Sequence, residues 1–505
     1  MIHGPLKGNC KNRPTDCIFR PHKVGNVKGF DLPLKPGLDC CRTFSFLKLF
    51  SMFAARLLLS CLLFKEVHAL SGYFWHITDL HWDPTYKLTD APELVCASSG
   101  KRPAAKAGKF GDYACDSPLH LINSSVHAMK DILSDPDFIV WTGDDTPHIP
   151  NESLTEDEVL HIISNLTQII KQVFPKTKVY SALGNHDYHP KSQFPAGPNH
   201  IYNKTAEMWR DWLDPESQAT FKNGGYYTEK LLSRTGFRML VLNTNLYYDQ
   251  NKLTQGMDDP AGQFSWADHV LTEAANNKER VYIIGHVPPG FFEKKRRKPW
   301  FTPKFNQRYL DLIQKHHSVI LGQFFGHHHT DSFRMFYKSQ DSPISTMFLS
   351  PGVSPWKTTL PGVVNGANNP GIRIFEYDTQ TLLVKDVVTY YLNLTYANAA
   401  HARWEKEYRL TESFRVPDAS PASMHQILER IANNHCHLQK YYEFNSVSYD
   451  LTECNSDCRV DHVCAAREVD FHRYERCLEK EEAAAICAGF LPVLSVALSL
   501  VLSSR

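Results

Sequence analysis

In Val179-Tyr-Ser-Ala-Leu-Gly-Asn-His-Asp187 a short apolar run ends in turn-forming and metal-binding residue types, and this pattern is the main indication of the fold. The run does not alternate with polar residues, which predicts a strand buried on both faces. Four other apolar runs end in residues of the same kinds. Their ends are Asp79-Leu-His81, Gly143-Asp144, Gly285-His286 and Gly326-His327-His328-His329.

In chain order, the first three runs end at Asp79, at Asp144 and at Asp187. Helical stretches at 119–133 and 156–173 separate them, and alternating strands and helices predict an α/β layered fold. In such folds ligands gather beyond the carboxyl ends of the strands. Each motif alone occurs by chance in many proteins. Five strand ends that offer carboxylate, imidazole and amide oxygen are difficult to explain as core packing, because burying these groups is unfavourable unless a metal or partner satisfies them. The sequence therefore predicts a metal site.

The composition excludes two broad classes of protein. The chain has 505 residues, of which 42% are apolar, with 55 Lys and Arg against 54 Asp and Glu. This apolar content supports a large core and excludes a disordered chain. A net charge of +1 leaves no basic excess for coating nucleic acid, so we expect no nucleic-acid partner.

The N-terminal segment indicates secretion. Residues 1–51 are rich in Pro and basic residues without a helical or alternating pattern, and we interpret them as an upstream extension outside the fold. Residues 52–69 have the charged start, apolar block and Val67-His-Ala69 ending of a secretory signal peptide. A buried core helix is the alternative.

Glycan acceptors and cysteines agree with an oxidising compartment. Five Asn-x-Ser/Thr sequons begin at Asn123, Asn151, Asn165, Asn203 and Asn393. The cysteines beyond the signal peptide are even in number: Cys96, Cys115, Cys436, Cys454, Cys458, Cys464, Cys477 and Cys487. The spacing within 454–477 supplies no pair of zinc knuckles, which favours a disulfide-stapled helical subdomain. The partners of Cys436 and Cys487 stay open.

The C-terminal segment 483–505 indicates attachment to a membrane. Ala483 to Leu502 contain no charged residue and are long enough to span a bilayer. Small residues at its start and only three residues after it favour a cleavable GPI-attachment signal over a permanent transmembrane helix. We expect a protein of the secretory pathway that is GPI-anchored at the cell surface, with a secreted or lysosomal protein as the alternative.

The order D-x-H, G-D, G-N-H-D, G-H and G-H-x-H resembles the calcineurin-like dinuclear metallophosphoesterases. Two segments are similar to those of acid sphingomyelinase and its smaller relatives: Phe74-Trp-His-Ile-Thr-Asp-Leu-His-Trp-Asp-Pro84 and Thr142-Gly-Asp-Asp-Thr-Pro-His148. The resemblance covers roughly residues 70–480. It implies a four-layer α/β/β/α catalytic sandwich over 70–396 and a small helical subdomain over 397–482. It also implies the disulfides Cys96–Cys115, Cys454–Cys458 and Cys464–Cys477.

The resemblance further implies two metal ions that share Asp144 as a bridging ligand. One ion would lie on Asp79, His81, Asp144 and His329, and the other on Asp144, Asn185, His286 and His327. Two such ions would activate a bridging hydroxide and neutralise charge on the phosphoryl group in the transition state. Oxygen and imidazole ligands without thiolate suit zinc. Purple acid phosphatases have an iron-binding Tyr where this chain has Pro147, which favours two Zn²⁺.

Three further residues have roles by resemblance. His186 would stabilise the phosphoryl oxygens and protonate the leaving alkoxide, and Asp187 is a candidate to orient its ring. His148 matches a second active-site histidine, with a hydrogen-bonding role outside the metal shell as the alternative. We expect His328 to contact no metal, because it lies between two ligands and consecutive side chains point in opposite directions.

The basic run Lys294-Lys-Arg-Arg-Lys298 is expected to form a solvated loop, with capture of phosphate head groups as the alternative. Nearby aromatic residues either line a leaving-group pocket or pack loops: Tyr188, Phe291, Phe292 and Trp356.

These features together predict a zinc-dependent phosphodiesterase. We expect it to be monomeric and to act on small phosphodiesters, nucleotide phosphates or lipid head groups. Sphingomyelinase itself also has a saposin-like domain before the catalytic one, and we expect none between the signal and Tyr73. Two alternatives remain. The protein could be a phosphomonoesterase, or a cell-surface lipid-interaction protein with a structural metal site.

Overall fold

A computed structural model describes residues 71–231, 234–339, 342–481 and 483. The predicted extension 1–51 and signal peptide 52–69 lie outside the described residues, as does the predicted anchor except for residue 483. No helix among the described residues is long and apolar enough to cross a membrane. The division of the chain into domains stays a prediction.

Two six-stranded mixed sheets form the centre of the molecule. The first has the order β12-β11-β10-β1-β2-β3 and the second the order β4-β5-β6-β7-β9-β8. The strands are β1 Ser71–Ile77, β2 Phe138–Trp141, β3 Val179–Ser181, β4 Tyr227–Lys230, β5 Phe237–Val241, β6 Arg280–Ile284, β7 Ile320–Phe325, β8 Ser332–Tyr337, β9 Pro343–Leu349, β10 Gly371–Asp378, β11 Val384–Leu392 and β12 Trp404–Arg409. β1, β2 and β3 are parallel neighbours, as are β5, β6, β7 and β9.

The two sheets pack face to face through aromatic side chains. The Phe74 ring of β1 lies 5.9 Å from Tyr282 of β6 and 5.3 Å from Phe324 of β7, between ring centroids. The next residue, Trp75, points the other way and donates its Nε1–H to the carbonyl of Leu133. Both side chains are fully buried, as the continuous apolar run predicts.

Helices cover the outer faces and form the C-terminal part. They are α1 Leu119–Ile132, α2 Glu156–Val173, α3 His200–Met208, α4 Pro215–Gly224, α5 Gln263–Asn276, α6 Pro303–His316, α7 Leu394–Ala399, α8 Leu410–Phe414, α9 Pro421–Asn433, α10 His435–Asn445 and α11 Ser456–Arg467. Residues 471–481 are also helical. α5 packs on β6, whereas α9 and α11 pack on β8. The expected α/β/β/α layering is confirmed.

The C-terminal part is helical and stapled by disulfides, as expected, but it is not entirely helical. β12 falls inside the region 397–482 and pairs antiparallel with β11 at the edge of the first sheet. Its sequence, Trp404-Glu-Lys-Glu-Tyr-Arg409, is mostly charged because one face of an edge strand meets solvent. That charge content made the segment look helical in the sequence.

Candidate active site

The carboxyl ends of β1, β2, β3, β6 and β7 bring all seven predicted metal ligands to one edge of the paired sheets. Among the described residues, possible ligand atoms lie within 4.8 Å of one another in the set His81, His148 and His186 and in two groups made only of predicted ligands. They are Asp79 with His81 and His329, and Asp144 with His286 and His327. Asp144 lies between the groups, with its Oδ2 at 3.4 Å from His81 Nε2 and at 3.2 Å from His286 Nε2.

The side chains in these groups turn hydrogen-bond acceptors towards one another. His81 Nδ1 lies 2.7 Å from the carbonyl of Thr146, and His286 Nδ1 lies 2.6 Å from the carbonyl of Thr142. A carbonyl only accepts, so each Nδ1 carries a hydrogen and each Nε2 of the neutral ring offers a lone pair. His286 Nε2 faces Asn185 Oδ1 at 3.2 Å. Opposed acceptors of this kind fit a bound cation.

Two further observations support a cation here. Both ring nitrogens of His327 are buried without a hydrogen-bond partner among the described residues. Burial opposes a charge on His81, but hydrogen bonding to Asp79 and the nearby carboxylates outweigh it and raise its pKa to about 9. The carboxylates therefore favour positive charge at the point where the predicted ligands meet.

The backbone at these positions is strained. Five of the predicted ligands have left-handed φ angles: Asp79 at 50°, His81 at 39°, Asp144 at 59°, His327 at 72° and His329 at 60°. A non-glycine residue in a sparsely populated conformation costs on the order of 1–3 kcal/mol, and such residues cluster at functional sites. Gly143 is also required, since a Cβ there would lie 2.2 Å from the backbone nitrogen of Gly184.

Asp187 does not orient the ring of His186, and that prediction is wrong. Its buried carboxylate accepts backbone N–H groups from Asp144 at 2.9 Å, Asp145 at 2.7 Å and Gly184 at 2.7 Å. Among the described residues no hydrogen bond joins it to the His186 ring. Asp187 instead ties the loop after β2 to the loop after β3, and so positions Asp144 and Asn185.

His186 lies beside the two groups, with its ring centroid 4.9 Å from that of His81. Its Nδ1 is 3.4 Å from the carbonyl of Pro147, and its backbone N–H donates to Asp144 Oδ1 at 2.8 Å. Burial and the neighbouring His148 lower the pKa of His186 well below its ordinary value. The free site therefore favours the neutral ring, and an anion beside it is needed to favour the protonated one.

His148 is held by two residues that the sequence did not bring together. Its Nδ1 lies 3.0 Å from Oδ1 of the buried Asp116, which also accepts from Ser354 Oγ at 2.9 Å. Its ring stacks on Trp356 with centroids 3.7 Å apart and planes 8° apart. Sequence reasoning missed Asp116, because it follows Cys115 in a loop and not a strand, and no motif marks it.

Trp356 fixes His148 from a wall of the site and is itself fixed on its other side. Arg102 lies 5.3 Å from the ring centroid, within reach of a cation–π contact. Trp356 Nε1 donates to the carbonyl of Ser98 at 3.0 Å. Arg102 and Ser98 both belong to the loop closed by the disulfide Cys96–Cys115. Trp356 thus joins this loop to the histidine.

His328 is buried and contacts none of the predicted ligands through its ring nitrogens. It accepts from Trp300 Nε1 at 2.6 Å, and its Nδ1 lies 3.1 Å from Glu293 Oε2. Glu293 also accepts from Thr330, from Arg334 and from Asn445 of α10, at 2.6, 2.6 and 2.8 Å. This Glu293 network fixes the loop that carries His327 and His329.

A cavity of about 210 Å³ lies over the two groups. Phe292, Trp300 and Trp356 line it, together with Lys294 and the segment 358–368. Of the other aromatic residues named in the sequence, Phe291 stacks on Tyr474 and Tyr188 packs beside Phe194, with ring centroids 3.7 and 4.8 Å apart. The expected aromatic set is therefore divided between pocket lining and loop packing.

The structure contains the three disulfides that the resemblance implies: Cys96–Cys115, Cys454–Cys458 and Cys464–Cys477. The sequon asparagines are at least partly exposed: Asn123, Asn151, Asn165, Asn203 and Asn393. Their glycosylation stays a prediction.

Paired sheets with Asp, Asn and His side chains at the strand ends define the class of metallophosphoesterases. A family model described as calcineurin-like phosphoesterase matches residues 72–331. A second, described as acid sphingomyelin phosphodiesterase C-terminal region, matches residues 342–484.

Curated relatives narrow the class. Acid sphingomyelinase-like phosphodiesterase 3b of Mus musculus is 60% identical over 432 residues, which cover 85% of this chain and 94% of that protein. The Homo sapiens protein of that name is 60% identical over 409 residues, 81% of this chain and 90% of its own. A cyclic GMP-AMP phosphodiesterase of Homo sapiens is 40% identical over 412 residues, with 81% and 90% coverage. The chain belongs to the acid sphingomyelinase-like phosphodiesterases, within the calcineurin-like phosphoesterases.

Proposed function

We propose that the protein uses two zinc ions to hydrolyse phosphodiester bonds on the extracellular or lumenal side of a membrane. The observation that carries the proposal is the set of opposed acceptors around Asp144, above all His286 Nε2 facing Asn185 Oδ1 at 3.2 Å. Carboxylate, amide and imidazole donors without thiolate suit zinc. A metal ion bound between these atoms would accept electron pairs from several of them at once.

Each ion would be held by one of the two groups. Asp79, His81 and His329 would hold the first, and His286, His327 and Asn185 the second, with Asp144 shared. When bound, the two ions supply a hydroxide at neutral pH and positive charge against the phosphate. The backbone carbonyls behind His81 and His286 hold both rings in the tautomer that coordination requires.

We assign protonation of the leaving group to His186, whose ring lies 4.9 Å from that of His81 between centroids. The anionic phosphate of a bound substrate favours the protonated ring, which then donates its proton to the leaving alkoxide. His148 lies 4.4 Å from His186 between ring centroids and is kept in place by Asp116 and Trp356. Its role is to position the phosphoryl oxygens.

The substrate class we propose is a small phosphodiester, a nucleotide phosphate or a lipid head group. Relatives named for cyclic GMP-AMP and for sphingomyelinase-like activity support a diester over a monoester. The cavity of about 210 Å³ is smaller than the roughly 300–1,000 Å³ of typical small-molecule sites. It accommodates a compact polar group better than a lipid with its acyl chains.

The test is to measure initial rates on a chromogenic phosphodiester and the matching monoester, at about pH 5 and pH 7. We expect turnover of the diester to exceed that of the monoester, and a zinc chelator to abolish both until zinc is restored. Preference for the monoester would indicate a phosphomonoesterase. Two bound metals per chain without turnover of either ester would indicate a surface-interaction protein with a structural metal site.

We also propose that the protein is a GPI-anchored monomer of the cell surface. The disulfides and exposed sequons support passage through the secretory pathway. Release from intact cells by phosphatidylinositol-specific phospholipase C is the expected result. Retention after this treatment would contradict the anchor, and N-terminal sequencing of the released protein would test the signal peptide at 52–69.

A further inference from the structure

The basic run Lys294–Lys298 is not the solvated loop expected from the sequence. Arg296 pairs with Asp461 of α11, Arg297 with Glu475 at 2.9 Å, and Lys298 with Asp249 at 2.9 Å. Lys295 donates to the carbonyl of Pro361. Four of the five charges therefore fasten the loop to the C-terminal helices and to neighbouring loops.

Lys294 differs from the other four because its side chain lines the cavity over the two groups. No hydrogen bond or ion pair of its ammonium occurs among the described residues. Desolvation lowers its pKa, and the charges of Glu293 and Asp450 oppose that shift only in part. The side chain is half-buried, and a cation partly withdrawn from water gains from a ligand of opposite charge.

The two carboxylates whose charges act on Lys294 are those of Glu293 and Asp450, and both already accept hydrogen bonds from other donors. Glu293 accepts from His328, Thr330, Arg334 and Asn445, as described above. Asp450 accepts from Tyr442 Oη at 2.7 Å, from Thr452 Oγ1 at 2.8 Å and from Asn365 Nδ2 at 3.3 Å. Among the described residues neither carboxylate forms an ion pair with the ammonium within 4.0 Å, and Lys294 is one of the residues that line the cavity.

We infer that Lys294 is a specificity-determining residue that binds a second phosphate of the substrate, apart from the phosphodiester that is cleaved. The inference rests on the proposed function for the position of the first phosphate. The preferred substrate is therefore a phosphodiester with an additional phosphate on the same molecule. A singly charged diester fits the same cavity but leaves the Lys294 ammonium without a partner.

The test compares the binding of thymidine 5′-monophosphate and thymidine 3′,5′-bisphosphate to the metal-loaded full chain by titration calorimetry. We expect the bisphosphate to bind about tenfold more tightly, which corresponds to about 1.4 kcal/mol. Lys294→Gln should abolish this preference, and Lys294→Arg should keep most of it. Lys295→Gln is the matched control, since it removes the same charge from the next residue and should leave the preference unchanged.

Equal binding of the two nucleotides by the unmodified protein would overturn the inference. An equal loss of the bisphosphate preference in Lys294→Gln and Lys295→Gln would also overturn the inference. It would show that the positive charge of the whole loop attracts the ligand without a specific contact from Lys294. Thermal unfolding of each variant checks that the fold is intact. Binding is read without turnover, so a bisphosphate preference in a protein that cleaves no diester would support Lys294 while refuting the proposed function.

Discussion

The strand-end loops and the cavity wall contribute to one site in different ways. In the strand-end loops, Asp79, Asp144 and His286 come two or three residues after the ends of strands, so the sheets fix their positions. In the wall, Trp356 and Lys294 lie on long loops. Contacts with distant parts of the chain fix Trp356 itself and the residues that follow Lys294. The backbone therefore positions the groups that we assign to chemistry, whereas tertiary contacts position the groups that we assign to recognition.

The largest expected effect is on the strand-end side. Asp144→Asn removes the charge shared by both groups, and we expect kcat/KM to fall by about 10³-fold or more with loss of bound zinc. Metal analysis of the purified variant measures the second quantity. Asp145→Asn is the matched control, because Asp145 belongs to neither group, and it should retain both metals. Full zinc content in Asp144→Asn would break the comparison.

His186→Ala tests whether a residue of the strand-end loops acts on the leaving group. We expect a loss of about 10²–10⁴-fold on a diester with an alkoxide leaving group. On a diester with a nitrophenolate leaving group the loss should be much smaller, because that group leaves without a proton. Zinc content should not change. Equal losses on both substrates would contradict a role as general acid.

The pH dependence of the free energy of unfolding tests the role of His76 in β1, the strand that leads to Asp79. Burial and Arg373 lower the pKa of His76 from 6.5 to about 3, so the folded protein keeps this ring neutral while the unfolded chain is protonated. Stability is therefore lost as the pH falls from 6.5 towards 3, by about 2 kcal/mol at pH 5. Denaturant unfolding at pH 7 and pH 5 measures the drop. In His76→Gln the drop should shrink by about that amount, and an unchanged drop would exclude His76 as its source.

Substitution of Trp356 tests whether the cavity wall contributes to kcat/KM through its contact with His148. Trp356→Ala removes the ring that stacks on His148, and we expect kcat/KM to fall about tenfold, since aromatic pairs contribute roughly 0.5–1.5 kcal/mol. Trp356→Phe keeps a stacking face and should restore most of the rate. Zinc content should be unchanged in both. If Trp356→Phe were as impaired as Trp356→Ala, stacking would not be the source of the effect.

The smallest effect isolates the backbone strain of the strand-end loops. His329→Ala and His329→Gly both remove the side chain, but only glycine adopts the left-handed φ of 60° without strain. We expect the glycine variant to be more stable by about 1 kcal/mol in denaturant unfolding without metal. Equal stability would mean that the loop relaxes when the histidine is removed.

The sequence predicted the part of the site that follows from strand ends. The apolar runs before Asp79, Asp144 and His286 place these residues at one edge, and the resemblance supplied the disulfide pairs. Asp116 could not be predicted, because its contact with His148 joins two loops without a shared motif. The wrong role for Asp187 has the same cause: adjacency to His186 in sequence suggested a contact that the turn directs to the backbone of another loop.

The Glu293 network has a consequence for recombination within the family. The two family models meet between residues 331 and 342, yet Glu293 of the first region accepts a hydrogen bond from Asn445 of the second. A chimaera that joins the first region to a C-terminal region from a distant relative would leave a buried carboxylate short of a donor unless an equivalent of Asn445 came with it. The junction is a boundary between two regions of sequence similarity, but buried hydrogen bonds cross it, so the two regions depend on each other in the folded protein.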